Sequence, residues 1–135
     1  MESKDKVVLT YGTFDMFHVG HVRLLERLSY FGDRLIVGLS TDDFNARKGK
    51  KAVISYEDRA SILRSCRFVE EVVPEKCWSQ KVLDIRRFNV DVFGMGDDWQ
   101  GEFDSLKSLC QVVYLPRTID VSTTEIRANV LRHSA

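Results

Sequence analysis

The sequence predicts an α/β protein: a single Rossmann-like, doubly wound domain over residues 1–135, with a five-stranded parallel sheet flanked by helices. Three observations lead there. Five short, β-rich apolar runs alternate with stretches of helical periodicity along the whole chain. The connections are a few residues long, so neighbouring strands need crossover helices, and right-handed crossovers place helices on both faces of a parallel sheet. Finally, four polar segments each follow a strand, where open α/β sheets bind their ligands.

The elements follow in order. Residues 6–12 (KVVLTYG) read as a buried strand stopped by Gly12. His21, Leu24, Leu25, Leu28 and Phe31 then keep helical spacing up to Gly32. Residues 34–42 form a second strand, and 44–54 read as a basic loop carrying Arg47, Lys48, Lys50 and Lys51 around Gly49. Ser55 caps a helix, with Asp58 three residues on as an imperfect capping box. Residues 69–75 are a third strand closed by Pro74, 79–88 a helix, and 90–99 begin as strand four. A short helix around FDSLKSL precedes strand five at 110–116. Ser122 or Thr123 caps a last helix.

Bulk properties exclude several classes. Twenty basic residues balance twenty acidic ones, so net charge gives no argument for nucleic-acid binding. No apolar stretch approaches the ~18 residues of a membrane span, and MESKDK has no apolar signal core. Cys66, Cys77 and Cys110 are odd in number and lack CxxC spacing, which reads as reduced thiols in a cytoplasmic protein. No GxGxxG follows strand one, which argues against a dinucleotide oxidoreductase.

The most informative stretch is YGTFDMFHVGH, residues 11–21, which sets His18 and His21 around Gly20 where a strand becomes a helix. A metal would need further ligands; Asp15 is near, but no Cys or other His stands at a ligand spacing. A purely structural role suits either histidine alone better than the pair. A phosphate suits both, because free N–H groups and the positive dipole end of a helix meet an anion there and glycine admits close approach.

GTFDMFHVGH resembles the first signature of the HxGH nucleotidyltransferase superfamily, and RTIDVSTTEIR resembles its second, of the ISST-x-IR type. Within that superfamily, STDDFN, KKAVISYEDR, VVPEKCWSQK, DVFGMGDDWQGEFDSLK and VVYLPRT are similar to the cytidylyltransferases that act on glycerol 3-phosphate. The resemblance implies attack by the acceptor phosphate on the α-phosphorus of CTP, with Mg²⁺ carried by the triphosphate and no covalent intermediate. It implies that Thr13 and Phe14 contact nucleotide, and that His18 and His21 hold the phosphates and stabilise the transition state. Lys50 would bind the triphosphate, while Lys48 and Lys81 would bind the acceptor phosphate beside Trp78. Arg117, Thr118, Ser122, Thr123 and Thr124 would close over the β- and γ-phosphates, with Gly96 and Asp98 near the cytosine edge. Lys48 and Arg117 join the two histidines as the catalytic set. A homodimer and a role in polymer assembly of the teichoic-acid type are also implied.

Each feature has a plainer reading. The basic loop is equally a solvated turn, Ser122–Thr124 a helix cap, and Trp78 and Trp99 ordinary half-buried aromatics. Arg59 and Arg67, eight apart on the predicted helix capped by Ser55, either serve a subunit contact or reach the phosphates. Asp15 and Asp42 are expected to orient neighbouring donors. Val19 stands where these enzymes often have an aromatic residue, and Ile119–Asp120 where Glu-Gly is more usual. The alternatives are an adenylyltransferase, a cytidylyltransferase for another phospho-alcohol, or a non-catalytic nucleotide-binding regulator.

Overall fold

The computed structural model describes residues 5–116, so the expected last helix, its caps and the second signature from Arg117 onward lie outside the described residues. Five strands form one all-parallel sheet in the order β3-β2-β1-β4-β5. They are β1 (Val7–Gly12), β2 (Arg34–Ser40), β3 (Glu71–Glu75), β4 (Val92–Gly96) and β5 (Gln111–Leu115). The doubly wound α/β fold read from the sequence is the fold observed.

Strand periodicity makes the two faces. In β1, Val8 points to a cluster holding Leu25 and Leu28 of α1 (Val19–Ser29) with Ala60 and Leu63 of α3 (Tyr56–Arg64). Val7, Leu9 and Tyr11 point the other way, to Ile85 of α4 (Gln80–Arg87), Phe93, Phe103 and Leu106. Helices that carry the chain from β1 towards β3 thus lie on one face, and those returning to β4 on the other. The reversal of strand order falls between β1 and β4, and the crevice beyond their carboxyl ends is where a ligand is expected.

Three local expectations are corrected. The basic loop is partly helix: Thr41 Oγ1 accepts from the Phe44 amide at 3.1 Å and starts α2 (Asp42–Arg47), so β2 stops at Ser40. The cap and the acidic pair Asp42–Asp43 at a helix N-terminus outweigh the solvated appearance of the lysines. The third strand starts at Glu71 rather than at 69 and ends at Glu75 as expected, with Pro74 tolerated inside it because β3 is an edge strand and the missing N–H faces away from β2. Finally, α3 ends at Arg64, so Arg67 is not on the same helix as Arg59.

Candidate active site

The turn after β1 is held in place by its neighbours. Phe14 and Met16 have φ of 50° and 48°, a left-handed backbone that costs non-glycine residues on the order of 1 kcal/mol each. The Asp15 carboxylate, 5% exposed, accepts the amides of Val53 (2.8 Å) and Ile54 (2.9 Å), fastening the turn to the segment after α2. A Cβ on Gly12 would lie 2.7 Å from the Phe14 ring, which itself meets His21 edge-on at 5.4 Å. Gly12→Ala is therefore expected to push that ring onto His21. Turnover should fall about tenfold or more with a lowered Tm, as read by a steady-state assay and calorimetry.

The two histidines form a reciprocal cap on α1. His18 Nδ1 accepts from the Gly20 amide at 3.0 Å, and His21 Nδ1 accepts from the His18 amide at 3.2 Å. A ring nitrogen that accepts carries no proton, so each neutral imidazole keeps its proton on Nε2. The rings stack with centroids 3.9 Å apart, and Phe17 stacks on His21 at 5.4 Å. Burial, with a smaller contribution from His18, holds His21 down at about 4, against an opposing pull from Asp15. Burial also lowers His18. At neutral pH the pair is thus two neutral N–H donors rather than two cations.

The linkage has a definite sign. Between about pH 4 and 6.5 the unfolded chain binds a proton at His21 that the native state refuses, so stability falls as pH drops through that window. NMR titration of the free protein should show the His21 ring neutral to below pH 5. A midpoint near 6.5 would contradict the geometry.

A cavity of about 570 Å³ opens beside His21, walled by Tyr11, Thr13, Phe14 and Asp15, with Lys48, Lys50 and Lys51 from the segment after α2. Lys48 turns inward: its Nζ donates to Ser40 Oγ at 3.0 Å and lies 4.3 Å from the Phe44 ring centroid, and burial lowers it from the ordinary lysine range. Lys50 and Lys51 are exposed on the rim. Asn45, 1% exposed, receives the Thr13 hydroxyl on Oδ1 at 3.1 Å.

Arg59 reaches neither solvent nor the cavity. It is fully buried and donates to Ile54 O (2.9 Å), Thr13 O (2.9 Å), Ser40 O (2.8 Å) and Asp42 Oδ1 (2.7 Å). It knots together the segments after β1, β2 and α2, so both roles raised from the sequence, subunit contact and phosphate contact, are corrected. Asp42 answers from the other side, accepting the Tyr56 amide at 3.0 Å. Arg67 is exposed and packs over Phe68 at 4.9 Å, away from the cavity.

The far end of the cavity is aromatic and carries a buried ion pair. Lys81 Nζ meets Glu75 Oε2 at 2.9 Å, with side chains 7% and 4% exposed. Tyr11 donates to Asp84, and burial first, then Asp84, holds its hydroxyl protonated far above the ordinary tyrosine value. Gln80 ties this end down, donating to Asp84 Oδ2 and Pro74 O at 2.9 Å each and accepting the Cys77 amide at 3.2 Å. Trp78 and Trp99 both line the cavity.

Among sequence-singled residues, Thr13, Phe14, Asp15, His21, Lys48, Lys50, Trp78 and Lys81 line one cavity. His18 stacks on it through His21. Gly96 ends β4 and Asp98 sits exposed on the 3₁₀ turn Asp97–Trp99, both beside the wall rather than in it. Arg117, Thr118, Ser122, Thr123 and Thr124 lie outside the described residues. Tyr11, Asn45, Glu75 and Phe103 went unnoticed in the sequence. Strand alternation could have flagged Tyr11, and a strand-ending acid at the ligand edge could have flagged Glu75.

A helix start with two N–H donors, lysines facing it, and a crevice at the switch point define a nucleotide-handling α/β protein. The chain belongs to the cytidylyltransferase-like family, whose model matches residues 9–129. It is 58% identical to the glycerol-3-phosphate cytidylyltransferase of Bacillus subtilis (strain 168), over 93% of this chain and 97% of that protein. It is 55% identical to the glycerol-3-phosphate cytidylyltransferase of Staphylococcus aureus (strain NCTC 8325 / PS 47), over 90% and 92% respectively. Among solved structures, a lipopolysaccharide core biosynthesis protein from Thermoplasma volcanium shares the fold. The TM-score is 0.72 at 18% identity, covering 85% of this chain and 99% of that one.

Proposed function

We propose that the chain transfers CMP from CTP to sn-glycerol 3-phosphate, giving CDP-glycerol and pyrophosphate. The observation that carries the reading is the cavity at the HxGH helix start, where His21, Lys48 and Lys50 converge, in a chain so similar to glycerol-3-phosphate cytidylyltransferases. An acceptor phosphate oxygen attacks the α-phosphorus while the bond to the β-phosphate oxygen breaks, so no net proton transfer and no covalent enzyme intermediate is needed. Catalysis is then positioning and charge neutralisation. His18 and His21 donate through Nε2–H to the transferring phosphoryl and leaving group, and Lys50 holds the triphosphate. Lys48 holds the acceptor phosphate, Thr13 and Phe14 contact nucleotide, and Gly96 and Asp98 face the base. Arg117, Thr118, Ser122, Thr123 and Thr124 complete the triphosphate site.

Mg²⁺ belongs with the nucleotide in this reading. The two carboxylates in the cavity wall are committed, Asp15 to backbone amides and Glu75 to Lys81, so triphosphate oxygens are the better ligands. No helix among the described residues is long and apolar enough to cross a membrane. A homodimer completes the proposal, to be checked by light scattering against the 15.6 kDa chain mass.

The test is pyrophosphate release with Mg²⁺, crossing CTP and ATP against glycerol 3-phosphate, phosphocholine and phosphoethanolamine. Turnover confined to CTP with glycerol 3-phosphate is expected. Turnover with ATP, or with a different acceptor, would overturn the assignment.

A further inference from the structure

We propose that Lys81 is a built-in cation that fills an aromatic cage and thereby sets acceptor specificity: the site accepts an uncharged, hydroxylated tail and refuses a cationic one. The proposal rests on the phospho-alcohol reading above and moves Lys81 from the acceptor's phosphate to its alcohol end.

The geometry is that of an ammonium-binding cage. Lys81 Nζ lies 4.6 Å from the Tyr11 ring centroid, 4.7 Å from Trp78 and 5.6 Å from Phe103. Trp99 closes the ring of aromatics, 6.2 Å from Trp78 and 5.6 Å from Phe103. Proteins use such cages to capture quaternary and primary ammonium groups. Here the chain supplies the ammonium itself, and Glu75, 2.9 Å away and buried with it, supplies the counter-charge. The cage is therefore electrically complete before any ligand arrives.

That has opposite consequences for two acceptor classes. A choline or ethanolamine tail would find the aromatic faces already taken by Lys81 and the Glu75 charge already paired, so nothing in the cage offsets the loss of its hydration. A glycerol tail brings hydroxyls, each able to accept from the ammonium and donate to the carboxylate. Lys48 also approaches Trp78, at 5.3 Å from its ring, but its hydrogen bond goes to the neutral Ser40 hydroxyl. The phosphate thus belongs with Lys48, whose hydrogen bond goes to a hydroxyl, and the alcohol with Lys81, which is paired directly with Glu75.

The test uses Lys81→Ala and, in case an unpaired Glu75 prevents folding, the double variant Glu75→Gln, Lys81→Ala, which empties the cage and leaves no unpaired charge. Two readouts are taken. The first is the ratio of kcat/KM for phosphocholine to that for glycerol 3-phosphate, with CTP; it should rise at least about 100-fold over the unaltered enzyme. The second is tetramethylammonium binding, followed by the emission of Trp78 and Trp99, the chain's two tryptophans. Saturable quenching is expected in the variants and none in the unaltered enzyme. A smaller rise in the ratio, or no saturable quenching in the folded variants, overturns the proposal. If the unaltered enzyme makes no CDP-glycerol, the reaction reading fails while the tetramethylammonium result still decides the cage.

Discussion

His21→Ala is expected to lower kcat by roughly 10²- to 10³-fold while leaving CTP affinity within a few-fold. That is the signature of losing a donor that counts most when charge builds on the leaving group. His18→Ala should match it in kcat. The structure adds a difference between the two. His18 stands at the N-cap of α1 and its ring accepts the Gly20 amide at 3.0 Å, so its removal should also cost about 1 kcal/mol of stability, more than the loss of the longer 3.2 Å bond to His21. The neutral Nε2–H tautomer explains why two stacked imidazoles tolerate a separation of 3.9 Å: neither carries a charge at neutral pH. A raised KM with unchanged kcat in both variants would assign the pair to ground-state binding alone and contradict this account.

The second large effect is on stability. Arg59→Leu should destabilise by about 3–5 kcal/mol, because it strips the donors from three backbone carbonyls at once and breaks an ion pair whose arginine has no exposure. Asp42, 58% exposed, stays hydrated when its partner goes, so the cost comes mainly from the orphaned carbonyls of Thr13, Ser40 and Ile54. A drop in Tm of about 10 °C or more is expected. Arg59→Lys should recover part of it, since an ammonium reaches fewer of those acceptors. A change of under about 1 kcal/mol in urea unfolding would show that the knot is dispensable.

Much of this architecture was legible in the sequence. Five apolar runs separated by helical spacing fix the parallel sheet, and a His-x-Gly-His stretch at a strand-to-helix junction marks the ligand edge. What escaped was long-range. Nothing local distinguishes Arg59 from the arginines around it; its burial follows from three segments meeting over α3. Likewise Lys81 looks like an exposed helical lysine until Glu75, at the end of an edge strand that runs through Pro74, is brought against it. Helix α2 is masked by the basic composition of its surroundings, although the Thr-Asp-Asp signal that starts it is local. The Ser55 cap was readable and the Thr41 cap was hidden by composition, while pairings between residues brought together only by the fold leave no local signal.

The central claim is that this edge carries one direct displacement between two phosphates, assisted by neutral N–H donors and lysines. The measurement that tests it most directly is the stereochemical course at the α-phosphorus, followed by ³¹P NMR with chiral α-thio CTP and glycerol 3-phosphate. Inversion is the predicted result, as a single in-line attack requires. Retention would mean two displacements and a covalent enzyme intermediate, and would contradict the account.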